Sequence, residues 1–324
     1  MTGPTRRRLL ELAGAASMAA AAAAGARAEG VSPGPRSEPA GVPFAHRTPL
    51  RIGAVSLVVQ DLERMTAYYR DVLGLAVIGR DGAQVRLGAA GTTLLVLDHK
   101  PSAPFELPGS AGLFHTAFLM PTRRDLARWL VHAASSRVRL TGFSDHSVSE
   151  AIYLDDPEGN GIEVYADRAP EQWRWEAGSV IMSTDQLDIE DLVSLTNIRV
   201  NDYAGAPEGL RIGHVHLRVG DLAPAAAFYG AAGMAPTRQR SGAAFMSSGR
   251  YHHHLGLNVW QSRGAGQRDA NATGLGWFSL EAENADMLAA QERRLREAGV
   301  TVTAMAGGVE AADPWGTAVR LVTR

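Results

Sequence analysis

The chain has 324 residues, 45% hydrophobic and 20% charged, with a formal net charge of -2. This describes a soluble globular protein long enough for two domains and excludes disorder, collagen-like repetition and, for want of basic surplus, a nucleic-acid partner. It has no cysteine, which excludes disulfides, thiolate metal sites and a cysteine nucleophile, so its ten histidines are the strong nitrogen ligands available to a transition metal.

Thr5-Arg6-Arg7-Arg8-Leu9-Leu10 opens the chain, an alanine-heavy apolar stretch follows from Leu12 to Ala26, and small residues flank Arg27. The pattern predicts a twin-arginine signal peptide over residues 1–28, hence a periplasmic or secreted protein free of the membrane after processing. The apolar stretch is about 15 residues, short of the roughly 20 that span a bilayer, so an anchor is the weaker alternative. Its removal, with four arginines and one glutamate, leaves 28 basic and 33 acidic residues, a net charge of -5. Residues 29–50, with Pro33, Pro35, Pro39, Pro43 and Pro49, predict an extended, unstructured leader.

Two stretches then repeat: IGAVSLVVQDLERMTAYYRDVLGL from Ile52 and IGHVHLRVGDLAPAAAFYGAAGM from Ile212. In each, an alternating strand runs into an aspartate suited to cap a helix (Asp61, Asp221), and the helix ends near a glycine (Gly74, Gly233). Glycine-separated alternating runs follow as hairpin strands: Gln84 to Leu87 and Thr92 to Leu97, then Ala243 to Met246 and His252 to Val259. A second strand and helix appear in each half, from Gly112 with a helix over 122–134 and from Gly274 with a helix over 284–298. The chain thus reads as four βαβββ modules, an α+β fold, divided into a domain over 51–168, a connecting arm over 169–210 and a domain over 211–324. Asp156-Pro157-Glu158-Gly159-Asn160 and Asp313-Pro314-Trp315-Gly316-Thr317 close the second and fourth modules as turn formers.

These modules and the DPEGNGIE ending resemble the vicinal oxygen chelate superfamily, the glyoxalase, bleomycin-resistance and extradiol dioxygenase fold. LFHTAFLMPTRRDLARWL, DHSVSEAIYLDDPEGNGIEVYADR and GRYHHHLGLNVW are most similar to its two-domain catechol 2,3-dioxygenase group. The resemblance implies metal ligands on the first and last strands of modules. Those slots hold Ala54 in module one, His115 and Glu163 in module two, His214 in module three, and Trp277 and Arg320 in module four.

Two histidines and one carboxylate make the triad that binds non-haem Fe(II), with Mn(II) a replacement, and leaves positions open for substrate and oxygen. Since module one lacks a ligand, module two is expected to pair with module three, leaving modules one and four as an inactive cup. The resemblance further implies His253 as the acid-base group, with His146 and Tyr153 orienting a catechol-type substrate for cleavage by O2. Strand alternation predicts His252 and His254 on the face opposite His253; the alternative for the triplet is a solvated strand edge or an adventitious metal binder. His216 is either a cavity-lining group or an interior histidine. The competing functions are a glyoxalase-like isomerase or lyase and a non-enzymatic binding or resistance protein. Exposed strand edges leave room for a homo-oligomer, by analogy with relatives.

Overall fold

The structure, a computed structural model, describes residues 42–324; the expected signal peptide and most of the leader lie outside the described residues. Module one comprises β1 (Leu50–Val59), α1 (Leu62–Leu73), β2 (Ala76–Asp81), β3 (Gln84–Ala89) and β4 (Thr92–His99). Module two comprises β5 (Gly112–Leu119), α2 (Arg123–Ser135), β6 (Gly142–Asp145), β7 (Ser149–Asp155) and β8 (Gly161–Asp167). The arm contributes β9 (Trp175–Glu176), β10 (Ser179–Val180) and α3 (Ile189–Ser194). Module three holds β11 (Arg211–Arg218), α4 (Leu222–Ala231), β12 (Ala235–Arg240), β13 (Ala243–Ser247) and β14 (Leu255–Asn258). Module four holds β15 (Gly274–Ala282), α5 (Ala285–Glu297), β16 (Val302–Met305), β17 (Gly308–Ala312) and β18 (Ala318–Thr323). Each module is βαβββ, as its sequence predicts.

Local chemistry sets the helix ends. Asp61 accepts from the backbone N–H of Arg64, and α1 stops at Gly74, whose φ of 72° lies in the left-handed region that favours glycine. Thr122, Asp221 and Asn284 cap the other three module helices in the same way. Among the described residues no helix is long and apolar enough to cross a membrane.

The modules pair across the halves. One eight-stranded sheet runs β16-β17-β18-β15-β1-β4-β3-β2 and the other β12-β13-β14-β11-β5-β8-β7-β6, so module four joins module one and module three joins module two. Each seam is antiparallel, β1 with β15 and β11 with β5. A continuous core that includes Leu57, Met65, Phe118, Trp129, Tyr229 and Phe278 draws on all four modules. Within each half a buried tyrosine braces the closing turn: Tyr69 donates to Asp156 at 2.8 Å and Tyr229 to Asp313 at 3.1 Å. Each aspartate also accepts two backbone N–H groups of its turn, Glu158 and Asn160 in one case and Trp315 and Thr317 in the other.

The end of the leader departs from expectation. Phe44–His46 form a 3-10 turn, and Ala45, His46 and Thr48 are buried. His46 Nε2–H donates to the Ile212 carbonyl at 2.8 Å, while the Phe44 ring meets Trp173 and Tyr251. Aromatic burial and paired polar groups override what proline content suggests here.

Candidate metal centre and active site

Register assembles the site. Across β7, β8, β5 and β11 one row reads Tyr153, Glu163, Ala117 and His214, with His115 two residues from Ala117 and opposite His216. Because alternate residues share a face, the side chains of His115, Glu163, His214, His216 and Tyr153 converge on one concave surface. Ala117, between Glu163 and His214, is too small to fill the gap. Gly161 lies against β5, where an added Cβ would sit 2.1 Å from the Phe114 carbonyl oxygen and push on His115.

His115 Nε2 lies 3.0 Å from Glu163 Oε2, His214 Nε2 lies 3.3 Å from the same oxygen, and the two nitrogens are 3.3 Å apart. Ligand atoms about 2.1 Å from an ion and at right angles to one another would stand about 3.0 Å apart, so this triangle matches one face of an octahedral site. All three side chains are buried. Burial opposes ionisation of Glu163, but the adjacent His214 and His115 rings outweigh it and hold the carboxyl well below its ordinary range. Burial lowers His214 to about 4 despite the Glu163 charge. An ionised carboxylate beside a neutral imidazole is the protonation state a divalent cation requires.

The triad opens on a cavity of about 310 Å³ with aromatic walls from Phe114, Phe245 and Trp260. This is at the small end of ligand pockets and suits a single substituted ring. Tyr153 and His146 line it with His253. His146 Nδ1–H donates to the Ser183 carbonyl at 2.9 Å, and its Nε2 lies 2.7 Å from the Tyr153 hydroxyl. Burial, followed by the Glu163 charge, pushes the Tyr153 phenol well above its usual value. His216 accepts from Asn258 Nδ2 at 3.1 Å and also lines the cavity.

The histidine triplet corrects one expectation. β14 begins only at Leu255, so His252, His253 and His254 lie in the turn before it, all buried and none on a solvated edge. His252 and His253 do not face opposite ways: their Nδ1 atoms are 2.8 Å apart. His254 is directed elsewhere, to Ser247 and the Ala45 carbonyl.

Sequence reasoning missed the arm's part in the site. Met182, Ser183 and Thr184 form part of the cavity wall, fixed by paired backbone bonds between Asp145 and Asp185. Arg240 at the cavity wall donates to the Met182 carbonyl. Bonds to backbone carbonyls leave no residue signature, and the aromatic walls escape the strand pattern too, since alternation would send Phe114 to the face opposite His115 and Trp260 lies beyond the end of β14.

Comparison with known proteins fits this architecture. Residues 51–164 and 211–320 match the model of the Glyoxalase/Bleomycin resistance protein/Dioxygenase superfamily. A catechol-2,3-dioxygenase of Bacillus subtilis is 37% identical over 270 residues, covering 81% of this chain and 93% of the relative. A biphenyl-2,3-diol 1,2-dioxygenase of Rhodococcus globerulus is 30% identical over 120 residues, covering 36% and 63%. Among solved structures, a candidate dioxygenase of Bacillus subtilis superposes with a TM-score of 0.60 at 15% identity, covering 84% of each chain, and glyoxalase I of Zea mays with 0.53 at 16%, covering 86% and 94%. These two structures speak to the fold alone. The chain belongs to the glyoxalase, bleomycin-resistance and dioxygenase superfamily.

Proposed function

We propose that this protein is an extradiol dioxygenase that opens a catechol-type ring with O2 at a divalent metal, Fe(II) or Mn(II), held by His115, His214 and Glu163. One observation carries the reading: the three ligand atoms, 3.0–3.3 Å apart, open on a small aromatic cavity that also presents His253, His146 and Tyr153. The metal would bring the two ring oxygens and O2 side by side and mediate electron transfer between them. One ring carbon–carbon bond beside the diol breaks, and both atoms of O2 enter the product.

The chain's own residues do the rest. Phe114, Phe245 and Trp260 hold the ring and exclude water. His253 takes a phenolic proton and returns one later. The His146–Tyr153 pair, anchored on Ser183, fixes the substrate oxygens. Burial depresses His253 well below the ordinary histidine value, which keeps it neutral.

Anaerobic reconstitution with Fe(II) and separately Mn(II), followed by catechol and air, tests the proposal. Metal-dependent oxygen uptake with a yellow ring-opened product is expected. Tight metal binding with neither signal across a panel of substituted catechols would turn the reading to an isomerase, and no metal binding to a binding protein. We also propose, from Arg6-Arg7-Arg8 and the small residues at 26 and 28, that residues 1–28 direct folded, metal-loaded chain to the periplasm. N-terminal sequencing of exported protein should begin at Glu29.

A further inference from the structure

Behind the cavity stands a polar chain that the metal triad does not use. His253 presents its ring to the cavity, 4.2 Å from the ring of His214 by centroids. Its Nδ1 lies 2.8 Å from Nδ1 of His252, and His252 Nε2 lies 2.7 Å from Oδ1 of Asp167. His252 is fully buried, in contact with the Trp173 and Tyr251 rings, which restrict its rotation. The Tyr251 hydroxyl donates to the same Asp167 oxygen at 3.2 Å and pairs with Tyr165 at 2.7 Å. The other oxygen, Asp167 Oδ2, is buried without a partner among the described residues.

Hydrogen-bond direction in this chain is determined from its far end. A carboxylate only accepts, so His252 Nε2 carries a proton. A His252 that carries this proton alone has a bare Nδ1, which must accept, and the proton between the two rings then belongs to His253 Nδ1. That leaves His253 Nε2 bare.

We propose that Asp167 and His252 are positioning residues that hold His253 in its Nδ1–H tautomer and so present Nε2 as a proton acceptor. The identity of the proton taken rests on the dioxygenase reading; the tautomer does not. The logic is that of a carboxylate orienting a histidine general base, extended by one more ring. Asp167→Asn removes the obligate acceptor: an amide can donate to His252 Nε2, which reverses both hydrogen bonds and places the proton on His253 Nε2.

Two measurements test the proposal. In nitrogen-15 spectra of the metal-free full chain with labelled histidine, the His253 signal, assigned by its loss in His253→Gln, should show the Nδ1–H tautomer and should switch in Asp167→Asn. In reconstituted enzyme, Asp167→Asn should lower kcat about 100-fold, the lower end of what a general base contributes, with KM and metal content unchanged, and Asp167→Glu should restore most of the loss. A wild-type His253 carrying its proton on Nε2, or an Asp167→Asn enzyme of undiminished kcat, overturns the proposal. Wild-type protein that cleaves no catechol overturns the dioxygenase reading, and the spectra still decide the tautomer if the variant folds poorly.

Discussion

The two cups share strand order, register and helix capping, yet among the described residues it is the cup of modules two and three that brings three ligand atoms within reach of one ion. Where His115 faces His216 across one seam, Trp277 faces Ser56 across the other. Ala54 occupies the position of His214, and Arg320 that of Glu163. The Arg320 guanidinium lies 4.0 Å over the Trp277 ring and pairs with Glu310 at 2.8 Å. The cup of modules one and four is not short of room, since its cavity measures about 580 Å³ against about 310 Å³. Space is therefore not what separates them. The fold supplies a register that aims side chains at a common point, and the identity of a few of those side chains decides whether that point attracts a cation.

Exchanging that chemistry gives the sharpest tests. Glu163→Ala should abolish ring cleavage and weaken metal binding more than about 100-fold, since altering even a partner outside the coordination sphere costs 10- to 100-fold. Metal analysis and oxygen uptake check this, and a variant that kept its metal would remove the distinction between the cups. His253→Ala should retain the metal and lose about 100- to 10,000-fold in kcat, read by the same assays; loss of metal would make His253 part of the binding set.

Added Fe(II) or Mn(II) at 100 times its dissociation constant should stabilise the wild type by about 2.7 kcal/mol and Glu163→Ala much less, seen as a shift in melting temperature. Tyr69→Phe and Tyr229→Phe touch what the halves have in common, the brace on the closing turn, and each should cost about 1 kcal/mol by denaturant unfolding. Unequal losses would show that the braces differ in strength. Arg320→Ala should have the smallest effect, under about 1 kcal/mol, because its ion pair is partly exposed, and should leave metal content and turnover unchanged.

The modular pattern was legible because periodicity and caps are local: Asp61 and Asp221 each announce a helix beside the residues that form it. Cross-pairing followed from the vacant slot at Ala54, and the structure brings His115, Glu163 and His214 together across the seam. The turn at His252–His254 was not legible, since three like residues in a row carry no period and a buried turn resembles a strand in composition. The ordered end of the leader was hidden by prolines, although Phe44 and His46 make the contacts that seat it. Ser183 acts through its carbonyl, which every residue possesses.

The seam between β5 and β11 also imposes an order in time. His115 and Glu163 are synthesised in the first half of the chain, whereas His214 follows His115 by 99 residues and arrives on β11, the strand that joins the second half to β5. A nascent first half therefore exposes the edge of β5 and offers an ion two of the three groups. Because distant strands must meet before either sheet closes, capture of the ion should be among the last events of folding, and a chain that stops short of residue 214 would lack a complete site however well its first half folds.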